Sequence, residues 1–392
     1  VIGKAKASKS IGPDGISMLM LKHLGPAGAE FLARVLNLSL TTLKIPDVWK
    51  MGRVVPLLKP GKPANKGESY RPITLLSPVA KTLEALLIPT FIHHLRPAAH
   101  QHGFRKVHST TTALNAINTQ IVHGLNQNRP CARTVLVTLD LSKAFDTVNH
   151  SVLLTDIEES SLPPGLQRWV MGYLSGRQSS VIFRGKTSKP RKIKQGVPQG
   201  GVLSTLLFNS YISKLPPPPE GVSLTSYADD CTIMASGQDI DDLCSKVNGY
   251  LADLSHFFTA RQLRIQPTKS SATLFTSWTK EYRLELDVKV DDEKIPTINN
   301  PKILGVTLDS LHSFTPHTTA IAAKLQSRNK ILKALAVSTW GKNKETLLVT
   351  YKAIDRPLVN YAPPIWAPID ERDANEEARS NSLPEQPHAD KH

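Results

Sequence analysis

Three aspartates carry the chemistry this sequence can do. Asp229 and Asp230 are adjacent, held between Tyr227-Ala228 and Cys231-Thr232-Ile233-Met234 at a break between two apolar runs. Asp140 closes a third apolar run, Thr134-Val135-Leu136-Val137-Thr138-Leu139. Carboxylates brought together from separate strands can hold a pair of divalent cations. Such pairs drive phosphoryl transfer: one cation lowers the pKa of an attacking hydroxyl, and the other steadies the leaving group. The three carboxylates repel one another without metal, so they should titrate as a coupled set with raised proton affinity. An Asp-Asp pair also suits an ordinary hairpin turn, so the surroundings must decide between the two.

Asp140 is followed by Leu141-Ser142-Lys143-Ala144-Phe145-Asp146, which places an aromatic ring five residues on. Gln195-Gly196-Val197-Pro198-Gln199-Gly200-Gly201 forms a glycine-rich turn ahead of a helix. Such a turn lets a ligand approach the backbone and offers helix N-terminal amides. It is not a P-loop, because no Gly-Lys-Ser/Thr follows.

Strands and helices must bring these groups together. The run 135–139 reads as a buried central strand. Residues 222–227 and 231–234 read as antiparallel strands with the acids at their turn, and 54–58, 272–275 and 303–308 as further strands. Residues 178–194 read as a β-ribbon turning near Arg184-Gly185-Lys186. Apolar spacing predicts a helix over 27–43 with a broad face of Phe31, Leu32, Val35, Leu36, Leu38 and Leu40. Further helices are expected over 78–95, 110–125, 149–174 (broken at Pro163-Pro164), 202–212 and 240–258. Pro216 to Pro219 form a stiff spacer. Beyond Pro316 come two basic helices, the second over 344–354. The residues from about Glu371 are too polar to repay ordering and are expected to be flexible.

Composition bounds the partners. The chain has 392 residues, 48 Lys+Arg against 33 Asp+Glu, and a formal net charge of +15. That surplus favours a polyanion. The three cysteines, Cys131, Cys231 and Cys244, form no metal-binding or disulfide pattern. No run approaches the 18 apolar residues of a membrane span, and there is no signal peptide. The start at Val1 is what a fragment of a longer product would show.

Read together, these pieces match a family. Thr138 to Asp146 resembles the first catalytic motif of the reverse transcriptases of non-LTR, LINE-like retrotransposons. Gln195 to Asn209 resembles their second motif, and Tyr227-Ala228-Asp229-Asp230 their YxDD box. Ser69-Tyr70-Arg71-Pro72-Ile73-Thr74-Leu75-Leu76 is similar to the fingers motif, Gly103 to Thr110 to the segment after it, and Leu304 to Asp309 to the strand near the primer grip. The resemblance runs from Gly12 to about Trp366.

The resemblance implies an α+β right-hand polymerase: fingers with an N-terminal extension over 1–130, and a palm over 131–310 into which part of the fingers (about 149–200) is inserted. A helical thumb would follow over 311–366, then a flexible tail over 367–392. It implies RNA-directed DNA synthesis with dNTPs on an RNA template, from a DNA primer or nicked target DNA, using two Mg²⁺ ions for which Mn²⁺ can substitute. Asp140, Asp229, Asp230 and the Leu141 carbonyl would bind metal. Arg71, with Lys59 or Lys62, would meet the triphosphate, and Lys269 the pyrophosphate. Phe145 would be the steric gate against a 2′-OH, with Gln199 and Gly200 beside the nucleotide. An endonuclease would sit in a missing upstream part of the polyprotein. The protein would assemble in the cytoplasm and act in the nucleus. The sequence departs from the family pattern at Gly201, usually Ser, which is expected to loosen a helix start, and at Thr205, usually Pro. These departures keep open a catalytically impaired copy that only binds nucleic acid. An intron-maturase-like enzyme is the other alternative.

Overall fold

The computed structural model describes residues 1–127, 131–336 and 343–367. The expected flexible tail lies outside them, apart from Ala367. The strands are β1 (Met51–Leu58), β2 (Tyr70–Leu75), β3 (Arg133–Leu139), β4 (Gln178–Phe183), β5 (Lys186–Thr187), β6 (Arg191–Lys192), β7 (Val222–Tyr227), β8 (Asp230–Gly237), β9 (Ser271–Phe275), β10 (Lys289–Val290), β11 (Glu293–Lys294), β12 (Lys302–Ile303) and β13 (Val306–Thr307). The helices are α1 (Met18–Lys22), α2 (Pro26–Thr42), α3 (Asp47–Lys50), α4 (Pro78–His94), α5 (Thr110–Leu125), α6 (Ala144–Thr147), α7 (His150–Glu158), α8 (Pro164–Leu174), α9 (Ser204–Ile212), α10 (Ile240–Ala260), α11 (Thr315–Leu335), α12 (Lys344–Ile354), α13 (Arg356–Val359) and α14 (Pro363–Trp366). The class is α+β, as expected.

Two sheets matter for the site. The first has the order β7-β8-β3-β9, antiparallel throughout. Its central strand β3 is apolar on both faces because helices cover both. Val135 and Val137 join a core with Val247, Leu251 and Leu254 of α10. Leu136 points the other way and joins Leu114, Ile117 and Ile121 of α5. The two-residue alternation of a strand thus feeds two different helices. A capping box between Ser109 and Thr112 fixes the start of α5, and Asp239 caps α10.

The second sheet runs β2-β1-β4-β5, with β6 also on β4. β1 pairs antiparallel with β2 but parallel with β4, which lies well over 100 residues further along the chain. A parallel neighbour requires a long crossover, and here the crossover contains β3 and helices α4 to α8.

Three expectations change. The run 303–308 is a tight hairpin of β12 and β13, because Leu304 and Gly305 both take positive φ (45° and 92°), the conformation of a two-residue reverse turn. The helix expected from Val202 starts at Ser204. On α2 only Leu32, Leu36 and Ser39 are buried, while Phe31 and Leu38 are exposed; the apolar stripe is wider than the core it meets. Among the described residues, no helix is long and apolar enough to cross a membrane.

Candidate active site

The sheet register brings the acids together. Leu139 pairs with Cys231, so Asp140, the next residue, comes opposite Asp230, the first residue of β8. Tyr227 and Asp230 close the β7–β8 hairpin around Ala228 and Asp229, and Ala228 adopts φ 57°, the left-handed region. Asp140 and Asp230 line one cavity of about 190 Å³ together with Lys269, Lys302 and Leu304.

Lys269 reaches the cavity because its loop is tied to Asp140. Gln266 N–H donates to the Asp140 carbonyl (2.9 Å), and Asp140 N–H donates to Ser270 Oγ (3.2 Å). Ser142 N–H donates to the Arg264 carbonyl (3.0 Å), and Gln266 Nε2 donates to Ser142 Oγ (3.0 Å). Leu141 sits between these bonds as the non-hydrogen-bonded pair of Ile265, which leaves its carbonyl outside the ladder.

The electrostatics follow from this crowding. The Asp230 carboxyl is pushed up to about 6, first by loss of hydration, then by the charges of Asp229 and Asp140. Its residue still reaches solvent, so the rim of the group is wet while most of its surroundings are protein. Asp229 is raised by burial and by Asp140, against one stabilising bond from its own backbone amide. Burial, helped by the charges of Asp230 and Asp229, pushes the Cys231 thiol up to about 12, so it is no nucleophile. Among the described residues, no group of three or more His, Cys, Asp and Glu side chains forms a ready metal cage, since mutual repulsion opposes convergence of acids until a cation neutralises them. The donors are nonetheless hard oxygens from two paired strand ends, and that set fits a hard divalent cation.

The glycine turn does something other than expected. Gly196 (φ 84°) and Gly200 (φ 127°) have no room for a Cβ, which would come within 2.6 Å of the Asp146 and Thr74 carbonyls respectively. The group approaching these glycines is the protein's own backbone. Val197 N–H donates to the Phe145 carbonyl (2.8 Å), Gly196 N–H to that of Val148 (2.7 Å), and Thr74 N–H to that of Gln199 (2.9 Å). The Gln199 side chain donates to Asp146 (2.7 Å). The turn therefore clamps the segment after Asp140 to β2, which carries Arg71.

Two amides just ahead of α9 are also occupied. Buried Glu84 on α4 accepts from Val202 N–H (2.6 Å) and Leu203 N–H (3.0 Å). A carboxylate from another helix thus holds the N-cap residue of α9, Leu203, and the residue before it, and Gly201 lies ahead of the helix. A side chain at Gly201 would instead meet Ser204 Oγ, the Tyr173 hydroxyl and Glu84.

Phe145 stacks on buried Phe208 (ring centroids 4.2 Å, 18°) and keeps part of its ring accessible. Arg71 is exposed on β2 opposite Leu57 of β1. Lys59 Nζ donates to the Glu68 carbonyl (3.0 Å), and Lys62 is exposed in the loop beyond.

A family model described as reverse transcriptase (RNA-dependent DNA polymerase) matches residues 59–308. The chain belongs to the reverse transcriptase family. It is 29% identical over 369 residues to the probable RNA-directed DNA polymerase from transposon BS of Drosophila melanogaster, covering 91% of this chain and 39% of that protein. It is 29% identical over 374 residues to the corresponding polymerase from transposon X-element of the same fly, covering 93% and 40%. It is 24% identical over 376 residues to the Pol polyprotein from type-1 retrotransposable element R1 of Bradysia coprophila, covering 93% and 36%. The chain thus spans about two fifths of the relatives it matches, and the expected resemblance to retrotransposon reverse transcriptases holds.

Sequence reasoning missed four residues at or behind this site: Lys302, Glu84, Gln101 and Phe104. Glu84 had a signal, a lone acid inside the apolar run of α4. Lys302 and Gln101 reach the site through tertiary pairing alone. Phe104 lay inside a matched motif with nothing to mark its ring.

Proposed function

We propose that this chain is the polymerase portion of a LINE-like retrotransposon protein, a right hand that adds dNTPs to a DNA 3′ end on an RNA template. The observation that carries this is the register that sets Asp140 opposite Asp230 beside Lys269, within a chain of the reverse transcriptase family. The four-stranded sheet is read as palm, the β2-β1-β4 sheet as fingers, and α11 with α12 as the basic thumb. The parallel pairing of β4 with β1 supports assigning part of 149–200 to the fingers.

Asp140, Asp229, Asp230 and the Leu141 carbonyl would hold two Mg²⁺ ions, with Mn²⁺ as a substitute. The ions supply charge neutralisation at the triphosphate and a lowered pKa at the primer hydroxyl. The chain's own groups bind and orient. Arg71 offers a bidentate fork to phosphate, with Lys59 or Lys62 near it. Lys269 meets the leaving pyrophosphate and can give it a proton. Phe145 lies where a ribose 2′-OH would project, and Gln199 and Gly200 shape the wall beside the nucleotide. RNA template, DNA primer or nicked target DNA, and dNTPs are the partners. An endonuclease would lie in another part of the same polyprotein, and the protein would act in the nucleus after assembly in the cytoplasm.

With poly(rA)/oligo(dT), dTTP and Mg²⁺, the protein should extend the primer. Asp229→Ala should reduce extension on the order of a thousandfold or more while salt-dependent RNA binding persists. Binding without extension by the parent protein, in Mg²⁺ and in Mn²⁺, would instead favour the impaired, binding-only copy.

A further inference from the structure

Residues 100–104 form a strap beside the catalytic hairpin. Ser226 N–H donates to the His100 carbonyl (2.9 Å), and His102 N–H donates to the Ser226 carbonyl (2.8 Å). Between them lies buried Gln101. Its Oε1 accepts from Ala228 N–H (2.8 Å) and Gly103 N–H (2.7 Å), and its Nε2 donates to the Ala228 carbonyl (3.2 Å). Asn209 Nδ2 donates to the Gly103 carbonyl (2.8 Å). A Cβ at Gly103 would collide with the Ala228 amide. The strap is thus fixed to β7, to the acid-bearing turn and to α9.

What the strap delivers is Phe104. Its backbone takes φ 57°, a left-handed conformation that is costly for a bulky residue. Its ring is 46% exposed, so burial returns little of that cost. The ring meets Phe145 edge-on (6.3 Å, 86°) and lies tilted against Tyr227 (6.5 Å, 39°). Phe145 therefore has two aromatic neighbours here, Phe208 stacked in the core and Phe104 edge-on at the surface.

We propose that Phe104 is a positioning residue for Phe145, holding the Phe145 ring against Phe208 and so setting how strictly the site separates deoxyribose from ribose. This rests on the reading of Phe145 as the steric gate. Phe208 restrains one face of the ring only. Without Phe104 the ring can swing toward the vacated side, and the gate opens although Phe145 is intact. An edge-to-face aromatic pair is worth about 0.5–1.5 kcal/mol beyond its buried area, which corresponds to a roughly two- to tenfold loosening.

The test compares kcat/KM for dGTP and GTP on poly(rC)/oligo(dG) in the parent, Phe104→Ala, Phe104→Tyr, Phe145→Ala and the double variant Phe104→Ala/Phe145→Ala. A ratio measured on one preparation does not depend on its active fraction. The same ratio, read as nucleotide affinity in a complex stalled on a chain-terminated primer, needs no turnover. Phe145→Ala should relax the ratio by roughly 10–100-fold, and Phe104→Ala by roughly two- to tenfold. Phe104→Tyr should restore the parental ratio, and the double variant should match Phe145→Ala alone. If Phe145→Ala relaxes the ratio but Phe104→Ala does not, or if the two effects add in full, Phe104 does not act through Phe145. If Phe145→Ala leaves the ratio unchanged, the gate reading fails and takes this proposal with it.

Discussion

Strands β3 and β1 are of similar length, seven and eight residues, yet they live in different environments. Every residue of β3 from Thr134 to Val137 is buried, under α5 on one face and α10 on the other. In β1 only Gly52 is buried, and Leu57 and Leu58 at its far end are exposed. The buried strand ends in Asp140, beside two other carboxylates. The open strand runs beside Arg71. Repelling acids need a support that cannot move apart, whereas a cation that must follow a flexible polyphosphate needs no such burial. Under the proposed role of Arg71, stability and substrate contact are divided between the two sheets.

Substitutions in the two strands can break that division. Leu136→Ala, in β3, should cost about 2–5 kcal/mol in denaturant unfolding, while Leu57→Ala, in β1, should stay within about 0.5 kcal/mol. Equal losses would show that the open sheet is tied into the core as firmly as the buried one. Next in size is Arg71→Ala. Removing a charge-assisted contact worth about 1.5–3 kcal/mol should raise KM for dNTP roughly tenfold or more and leave the melting temperature unchanged. A lower melting temperature with unchanged KM would make Arg71 a structural residue.

Glu84 links the two regions, because it holds the two amides between α9 and the turn that clamps β2 to the segment after Asp140. Glu84→Ala should cost about 0.5–2 kcal/mol, the size of a lost helix cap. Glu84→Gln keeps the acceptor oxygen and should cost less. Burial raises the Glu84 carboxyl, more than its two amide bonds and the charges of Arg177 and Lys81 lower it. A carboxyl raised by folding contributes stability below its ordinary range and loses it as pH rises through the folded value. Unfolding measured against pH should therefore show the parent losing ground to Glu84→Gln as pH rises above the ordinary carboxylate range. A constant difference would mean that folding does not shift the Glu84 carboxyl.

A pH effect of the same sign is expected at the acids. With Asp230 raised to about 6 from an ordinary value of 3.8, the chelated protein should gain stability as pH falls from about 6 to about 4, the opposite of a salt-bridged carboxylate. Asp230→Asn should flatten that slope. An unchanged slope in the variant would place the titration elsewhere.

Much of this was legible in the residues. The run 134–139 had to be a strand buried on both faces, because its β-branched apolar residues leave no polar face. Tyr227 to Asp230 had to be a turn, and the ordered motifs around Arg71, Asp140, Gln199 and Asp229 named the family. Local order could not show that Leu304-Gly305 reverses the chain, since an apolar run of six reads as one strand until its φ values are known. Nor could it show that Phe31 and Leu38 face solvent, since a helix can present more apolar surface than its neighbours cover.

The sequence by itself determined the chemistry on offer: three carboxylates at strand ends, a phosphate-matching arginine, a glycine turn and a basic surplus. These depend on residue type and short spacing, which the chain carries in one dimension. Tertiary structure alone decided the partners. The glycine turn receives the protein's own backbone, Glu84 takes the amides ahead of α9, Gln101 grips the acid-bearing turn, and Phe104 meets Phe145 edge-on. Each of these joins residues more than 40 positions apart, and no local pattern records which distant segment will close such a contact.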